Sequence, residues 1–292
     1  MRVLIVGCGY VGSRLGSELV RQGHQVWGVQ RTSRGAAALK AAGIFPLQAD
    51  ISLVQSCAGL PRGCDWVVLC VSSRGGGVAE YERTYLQGTR NLITSLLDAP
   101  PLKFVYTSST SVYGQSDSSS VDETSPTRPD SPAAQVLVRT EELLSSAVRE
   151  RGFPTVVLRV AGIYGPDRAY WLEQVRTNAA RLHTGGDRIL NMIHRDDVAG
   201  AILAALERGE AGAVYNAVDD CPVSQSDFLE WLCEQLGRPC PADGLSEIST
   251  GSPRAATNKR VLNRKLREQL GYCFRFPTFR EGYRDLLRAG SL

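Results

Sequence analysis

Three glycines constrain this chain more than anything else in it. Gly7, Gly9 and Gly12 stand directly behind the apolar run Val3 to Val6 and directly before Ser13 to Arg21, which carries helical periodicity; a second apolar run, Val26 to Val29, follows. That order reads as strand, tight turn, helix and strand, a βαβ unit whose turn is shaped for phosphate. Gly7 permits the sharp exit from the strand, Gly9 lets backbone approach a pyrophosphate, and Gly12 lets helix and sheet pack closely. Tyr10 and Val11 complete the cradle at the helix start, where free N–H groups face an anion. With 29 glycines in 292 residues, the spacing alone arises easily by chance. The flanking strand and helix are what make dinucleotide binding the expected role.

The second strand ends in Gln30 and Arg31, with Ser33 and Arg34 close behind. An NAD site normally offers a carboxylate about 20 residues after the glycine run, to bond the ribose 2'-hydroxyl. This chain has no acid there. Arg31 and Arg34, with Ser33, suit a 2'-phosphate through charge-assisted hydrogen bonds, so NADP is the expected cofactor. The competing reading is a solvated basic loop at a strand end.

Composition narrows the remaining classes. A chain that is 43% hydrophobic and 22% charged is ordinary globular material, and a net charge of +3 is too mild to argue for nucleic acid or an anionic membrane. The eight cysteines show neither paired C-x-x-C spacing nor a Cys/His cluster of zinc type, so no metal is expected. They read as reduced packing residues of a cytoplasmic protein. Ile5-Val6-Gly7-Cys8 imitates a lipoprotein cleavage box without an apolar segment before it, and export is not expected. No apolar run approaches the roughly 20 residues that span a bilayer.

The alternation continues: a helix over Ala36 to Ala42, strands over Ile44 to Gln48 and Cys64 to Val71, the flexible Arg74-Gly75-Gly76-Gly77, and one long amphipathic helix over Glu80 to Leu97. Strands at Lys103 to Thr107, Thr155 to Val160 and Val214 to Asn216 follow, with a helix at Ala134 to Arg149. Gln115 to Pro132, rich in Ser, Asp and Pro, reads as a surface loop or lid. Such alternation implies an α/β fold, a doubly wound parallel Rossmann sheet whose ligands lie beyond the carboxyl ends of the strands.

Five motifs follow one another along the chain: the glycine turn, Phe104 to Gly114 (FVYTSSTSVYG), Leu158 to Pro166 (LRVAGIYGP), Asn191 to Ala199 (NMIHRDDVA) and Val214 to Ala217 (VYNA). In these motifs and in their order the chain resembles the extended short-chain dehydrogenases/reductases, the group of NAD-dependent epimerases and dehydratases. The resemblance implies a smaller C-terminal substrate domain, with 1–167 plus about 191–220 binding the dinucleotide and 168–190 plus 221–292 on the substrate side. It also implies that Asp50 and Ile51 flank the adenine, although Asp50 equally suits a helix cap. Val71, Ser72 and Thr107 would lie along phosphates and ribose, and Val160 and Gly162 along the nicotinamide. Ser109 matches the residue that bonds the reacting oxygen.

The pattern then breaks. The family's Tyr-x-x-x-Lys pair supplies the acid/base, yet anchoring on Ser131-Pro132 and Glu141 places Ala133 at the tyrosine and Leu137 at the lysine. The helical Asn three residues before Gly88-Thr89 is replaced by Tyr85. The chain therefore reads as an atypical branch, with Tyr113, Tyr164, Tyr85 or His194 as stand-in donors and Tyr113 and Tyr164 grouped with Ser109. Two functions follow. One is an NADP(H)-dependent oxidoreductase or epimerase-like enzyme acting on a sugar-like or other hydroxylated small molecule. The other is a non-catalytic NADP(H) sensor or partner-docking protein. Family members pair through two long helices, so a homodimer is a plausible assembly.

Overall fold

The computed structural model describes residues 1–73, 76–181, 188–240 and 257–290. Arg74 and Gly75 of the expected glycine-rich segment lie outside them, as do 182–187, 241–256 and 291–292 of the expected substrate side.

Seven parallel strands form the central sheet. In chain order they are β1 (Arg2–Val6), β2 (Gln25–Gln30), β3 (Phe45–Gln48), β4 (Trp66–Leu69), β5 (Lys103–Ser109), β7 (Thr155–Val160) and β11 (Val214–Ala217). In space they run β3-β2-β1-β4-β5-β7-β11, a doubly wound order that reverses between β1 and β4. Helices cover both faces. Alternation along β1 sends Val3 and Ile5 into one apolar cluster, with Leu15 and Leu19 of α1 (Tyr10–Arg21) and Ile202 of α8 (Arg195–Arg208). Leu4 and Val6 enter the opposite cluster, with Leu92 and Leu96 of α5 (Gly88–Leu96) and Leu144 of α6 (Pro132–Arg151). β4 and β7 are buried along their whole length, as strands covered on both sides must be. Each such side chain contributes roughly 1.5–3 kcal/mol by leaving water.

A third cluster lies apart from the sheet. Tyr164 of β8 (Gly162–Tyr164) and Leu172 of α7 (Tyr170–Arg176) pack with Phe228 and Trp231 of α9 (Gln225–Leu236) and Phe279 and Tyr283 of α11 (Phe279–Arg288). Thr278 and Glu281 close a reciprocal capping box at the start of α11.

Two elements differ from the sequence expectation. The long helix starts as α4 (Val78–Tyr81), widens into a π-helical segment at Glu82–Gln87, and returns to α geometry as α5. The adjacent residues Thr84 and Tyr85 of this wider segment both line the cleft described below. Within the expected loop, Ser120 and Val121 form β6, paired in parallel with Arg260–Val261 (β13). Its partner lies far along the chain, so no local pattern announces it. Among the described residues, no helix is long and apolar enough to cross a membrane.

Candidate functional site

A cleft of about 630 Å³ opens beyond the carboxyl ends of the strands, where their order reverses. The glycine turn borders it. Gly7 has φ +94°, and a Cβ there would lie 2.6 Å from the Cys70 carbonyl carbon and oxygen. Gly12 lies beneath the cleft, where a Cβ would come 2.7 Å from the Gly7 oxygen and 3.0 Å from Ile5 Cγ2. A Cβ on Gly9 would meet nothing closer than the Gly7 oxygen at 4.0 Å, so the space above it is open to a ligand. Helix α1 begins at Tyr10 with neither a side-chain cap nor an acid in its first turn. Its first N–H groups, with Tyr10 and Val11 on the wall, are available to an anion.

Gln30, Arg31, Thr32, Arg34, Asp50 and Ile51 line one end. Gln30 Nε2 donates to the Cys8 carbonyl at 2.6 Å and so braces the turn. Arg31 Nη1 donates to Glu80 Oε1 at 2.7 Å, and Glu80 also holds Arg83 and accepts from Thr84 Oγ1 at 3.2 Å. Among the described residues Arg34 makes no ion pair. Ser33 does not line the cleft; it opens the short 3-10 turn Ser33–Gly35, and Thr32 takes the lining position. Asp50 Oδ1 accepts from Ser52 N at 3.0 Å and Ser52 Oγ at 2.7 Å. Partial burial pushes this carboxyl up, but the Ser52 bonds and the charges of Arg31 and Arg83 outweigh it and hold the group below the usual range.

Val71, Ser72, Thr107, Ser108, Ser109 and Val160 line the other end. Thr107 Oγ1 donates to the Leu69 carbonyl at 3.3 Å. Ser109 Oγ accepts from Ser111 N at 3.2 Å, which leaves its hydroxyl proton for a ligand oxygen. Tyr85 and Leu137 share this end. The apolar Leu137 stands on the wall where the family resemblance calls for a lysine, and Ala133 is half-buried off the lining. Gly162 is also off the lining: its N–H is bonded to the Asn191 carbonyl at 3.0 Å, and Ala161 and Ile163 take the wall.

Neither Tyr113 nor Tyr164 reaches the cleft. Tyr113 is fully buried, its hydroxyl donating to Asn216 Oδ1 at 2.7 Å and accepting from Arg159 Nη1 at 2.9 Å. Arg159 in turn pairs with Glu141 at 2.8 Å, and Glu141 accepts from Ser108 Oγ at 2.5 Å. Burial pushes the Tyr113 phenol up despite the pull of Arg159. Tyr164 stacks on Tyr283 at 4.8 Å inside the third cluster, and burial drives its phenol well above the ordinary range. His194 is buried too, its Nδ1 accepting from Asp196 N at 3.2 Å to cap α8. Of the four stand-in donors, Tyr85 is the one whose side chain borders the cleft.

Lys259 braces the same region from the C-terminal part of the chain. Its ammonium is buried and donates to the Tyr113 carbonyl at 2.8 Å and to Thr257 Oγ1 at 2.9 Å. It thereby ties the Val112-Tyr113-Gly114 turn to a segment far along the chain. Burial, helped by Arg188, lowers its pKa to about 8. Among the described residues there is no metal-binding cluster.

The model of the NAD dependent epimerase/dehydratase family matches residues 3–217. The chain belongs to that family. Protein YeeZ of Escherichia coli strain K12 is 29% identical over 280 residues, spanning 94% of this chain and 96% of that protein. A Stigmatella aurantiaca protein named 4-hydroxy-2-methyl-3-oxo-4-farnesyl-3,4-dihydroquinoline-1-oxide ketoreductase is 30% identical over 247 residues, 81% of this chain and 74% of its own. DesIV of Streptomyces venezuelae, a dTDP-glucose 4,6-dehydratase solved with NAD, superposes with a TM-score of 0.84 over 99% of this chain and 96% of its own. At 22% identity that likeness speaks for the fold alone. Membership carries an NAD(P)-dependent oxidoreductase or epimerase-like role, and the cleft fits it. The glycines that an added Cβ would clash at, and the open space over Gly9, form the cradle such a cofactor needs.

Proposed function

We propose that this protein is an NADP(H)-dependent oxidoreductase acting on the carbonyl or hydroxyl group of a small molecule, with Ser109 and Tyr85 as the pair that holds the reacting oxygen. The observation that carries this reading is that Ser109 and Tyr85 line the same cleft as the glycine turn and the arginines Arg31 and Arg34. In this reading the backbone at Tyr10 and Val11 holds the diphosphate, Asp50 and Ile51 flank the adenine, and Arg31 and Arg34 receive the 2'-phosphate. Val71, Ser72 and Thr107 lie along the ribose, and Val160 borders the nicotinamide. The described residues within 168–190 and 221–292 form the substrate side. The cofactor, when bound, supplies or accepts the hydride. Ser109, its Oγ already accepting from Ser111 N, donates a hydrogen bond that orients the substrate oxygen and keeps its own proton, and the Tyr85 phenol transfers the single proton that a reduced carbonyl must gain. The ketoreductase relative favours a carbonyl group as the target.

The deciding experiment is NADPH oxidation with a panel of ketones and keto-sugars, in the wild type, Ser109→Ala and Tyr85→Phe. Each substitution should lower kcat by about a hundredfold with little change in NADPH affinity, the range expected for losing a positioned proton donor. A turnover unchanged in Tyr85→Phe would remove Tyr85 from the mechanism.

One observation favours a second reading, a non-catalytic NADP(H) sensor. Leu137 puts an apolar side chain on the wall where the family pattern has its lysine. Tight NADPH binding with no turnover across the panel would favour it.

A further inference from the structure

Among the described residues, three cationic side chains line the cleft: Arg31, Arg34 and Arg168. The first two sit at the end of β2. Arg168 comes from the turn that leads into α7, and its guanidinium lies 5.6 Å from the centroid of the Tyr10 ring. Tyr10 is the first residue of α1, immediately beside the open space over Gly9. Arg195 also lies against this ring, at 5.0 Å, but its charge is met by Asp196 at 3.3 Å, which gathers Arg14 and Arg275 as well. Among the described residues, Arg168 makes no ion pair and no side-chain hydrogen bond.

The mount of Arg168 is fixed. The Tyr10 hydroxyl donates to the Pro166 carbonyl at 2.8 Å and ties this turn to the glycine turn. Gly165 and Arg168 exchange both backbone hydrogen bonds, at 3.2 and 3.0 Å. Asp167 between them takes the left-handed conformation at φ 61°, which Asp tolerates better than most residues. A guanidinium with no carboxylate partner is thus held over the first residue of the anion-facing helix.

We propose that Arg168 clamps the diphosphate of the bound dinucleotide beside the glycine turn. The turn itself brings no cation: Gly7 to Gly12 contain no Lys or Arg, and the start of α1 offers only about half a positive charge from its aligned peptides. A diphosphate carries two negative charges, and Arg168 supplies the side-chain cation at that point. The clamp also links ligand to fold, because Ala169 and α7 pack into the third cluster. Filling the diphosphate site therefore steadies the entry to the substrate side. This inference rests on the dinucleotide reading above.

The test is calorimetric titration of the full chain with NADPH, NADH and adenosine 2'-phosphate, in the wild type, Arg168→Ala and Arg168→Lys. Arg168→Ala should weaken NADPH and NADH alike, by about tenfold or more, the usual effect of losing a charge-assisted bond to phosphate. Adenosine 2'-phosphate, which lacks the diphosphate, should bind as before, and Arg168→Lys should recover part of the loss. The melting temperature of the free protein should not move, since the side chain is exposed. Dinucleotide affinities within about twofold of wild type, or an equal loss for adenosine 2'-phosphate, would overturn the clamp while leaving the cofactor reading intact. A wild type that binds neither dinucleotide would overturn both.

Discussion

The Arg31 guanidinium stands 2.7 Å from the Glu80 carboxylate, so the cation best placed for a 2'-phosphate already has an anionic neighbour. Glu80 also holds Arg83, and Asp50 adds negative charge nearby. A phosphate arriving there must share Arg31 or displace Glu80, leaving Arg34 as the uncommitted cation.

Glu80→Gln should therefore tighten NADPH severalfold and leave NADH almost unchanged, because the amide releases Arg31 without adding repulsion. Arg31→Ala with Arg34→Ala should act in the other sense, weakening NADPH far more than NADH. Equal losses for both dinucleotides in the double variant would remove the 2'-phosphate assignment.

Restoring the missing pair tests how much of the reaction end is intact. Ala133→Tyr with Leu137→Lys brings a phenol and an ammonium to the wall now held by Leu137. The lysine would enter an apolar setting, which lowers its pKa toward the range useful for proton transfer. The double variant should gain NADPH oxidation on keto substrates. No gain at unchanged NADPH affinity would show that the cleft lacks a productive place for the substrate.

Much of this was legible because it is local. The glycine turn lies within a dozen residues of β1 and α1, and the apolar runs forecast the sheet strands because strands buried on both faces leave little room for polar residues. The π-helical segment was not legible, since one extra residue per turn leaves helical periodicity nearly intact. Nor could sequence show that Arg31 meets Glu80, 49 residues away, or that Tyr113 and Tyr164 turn from the cleft. Both tyrosines sit in motifs that end at the site. Arg159 and Asn216 capture Tyr113, and Tyr283 stacks on Tyr164, partners that no spacing rule connects.

That placement makes Tyr113 a stability residue. Tyr113→Phe leaves Arg159 and Asn216 short of a buried partner and should cost about 1–3 kcal/mol, with NADPH affinity unchanged. Glu141→Ala should cost more, about 3–5 kcal/mol, because it strands the buried Arg159 charge. Denaturant unfolding reads both. A Tyr113→Phe protein of full stability but lost turnover would return this phenol to the chemistry.

His194 should make the protein acid-sensitive in a defined window. The ring is buried against Phe276, centroids 4.1 Å apart, and Tyr164, and its Nδ1 accepts the Asp196 N–H at the start of α8. Burial lowers its pKa to about 4; Asp196 and Asp285 oppose the shift, while Arg195 and Arg275 add to it. An unfolded histidine titrates near 6.5. Between those two values the unfolded chain binds a proton that the folded chain refuses. The contribution is therefore complete above about pH 6.5 and lost as the pH falls toward 4, by up to about 3 kcal/mol. Asn at this position can still accept the capping N–H but does not titrate. His194→Asn should accordingly be less stable at pH 7, where ring packing is missed, and its stability should fall less steeply between pH 6.5 and 4. The raised carboxyls of Asp197 and Asp219 act in both proteins, so the difference between the two profiles isolates the histidine. Parallel profiles from urea unfolding across that range would mean that His194 stays protonated inside the fold.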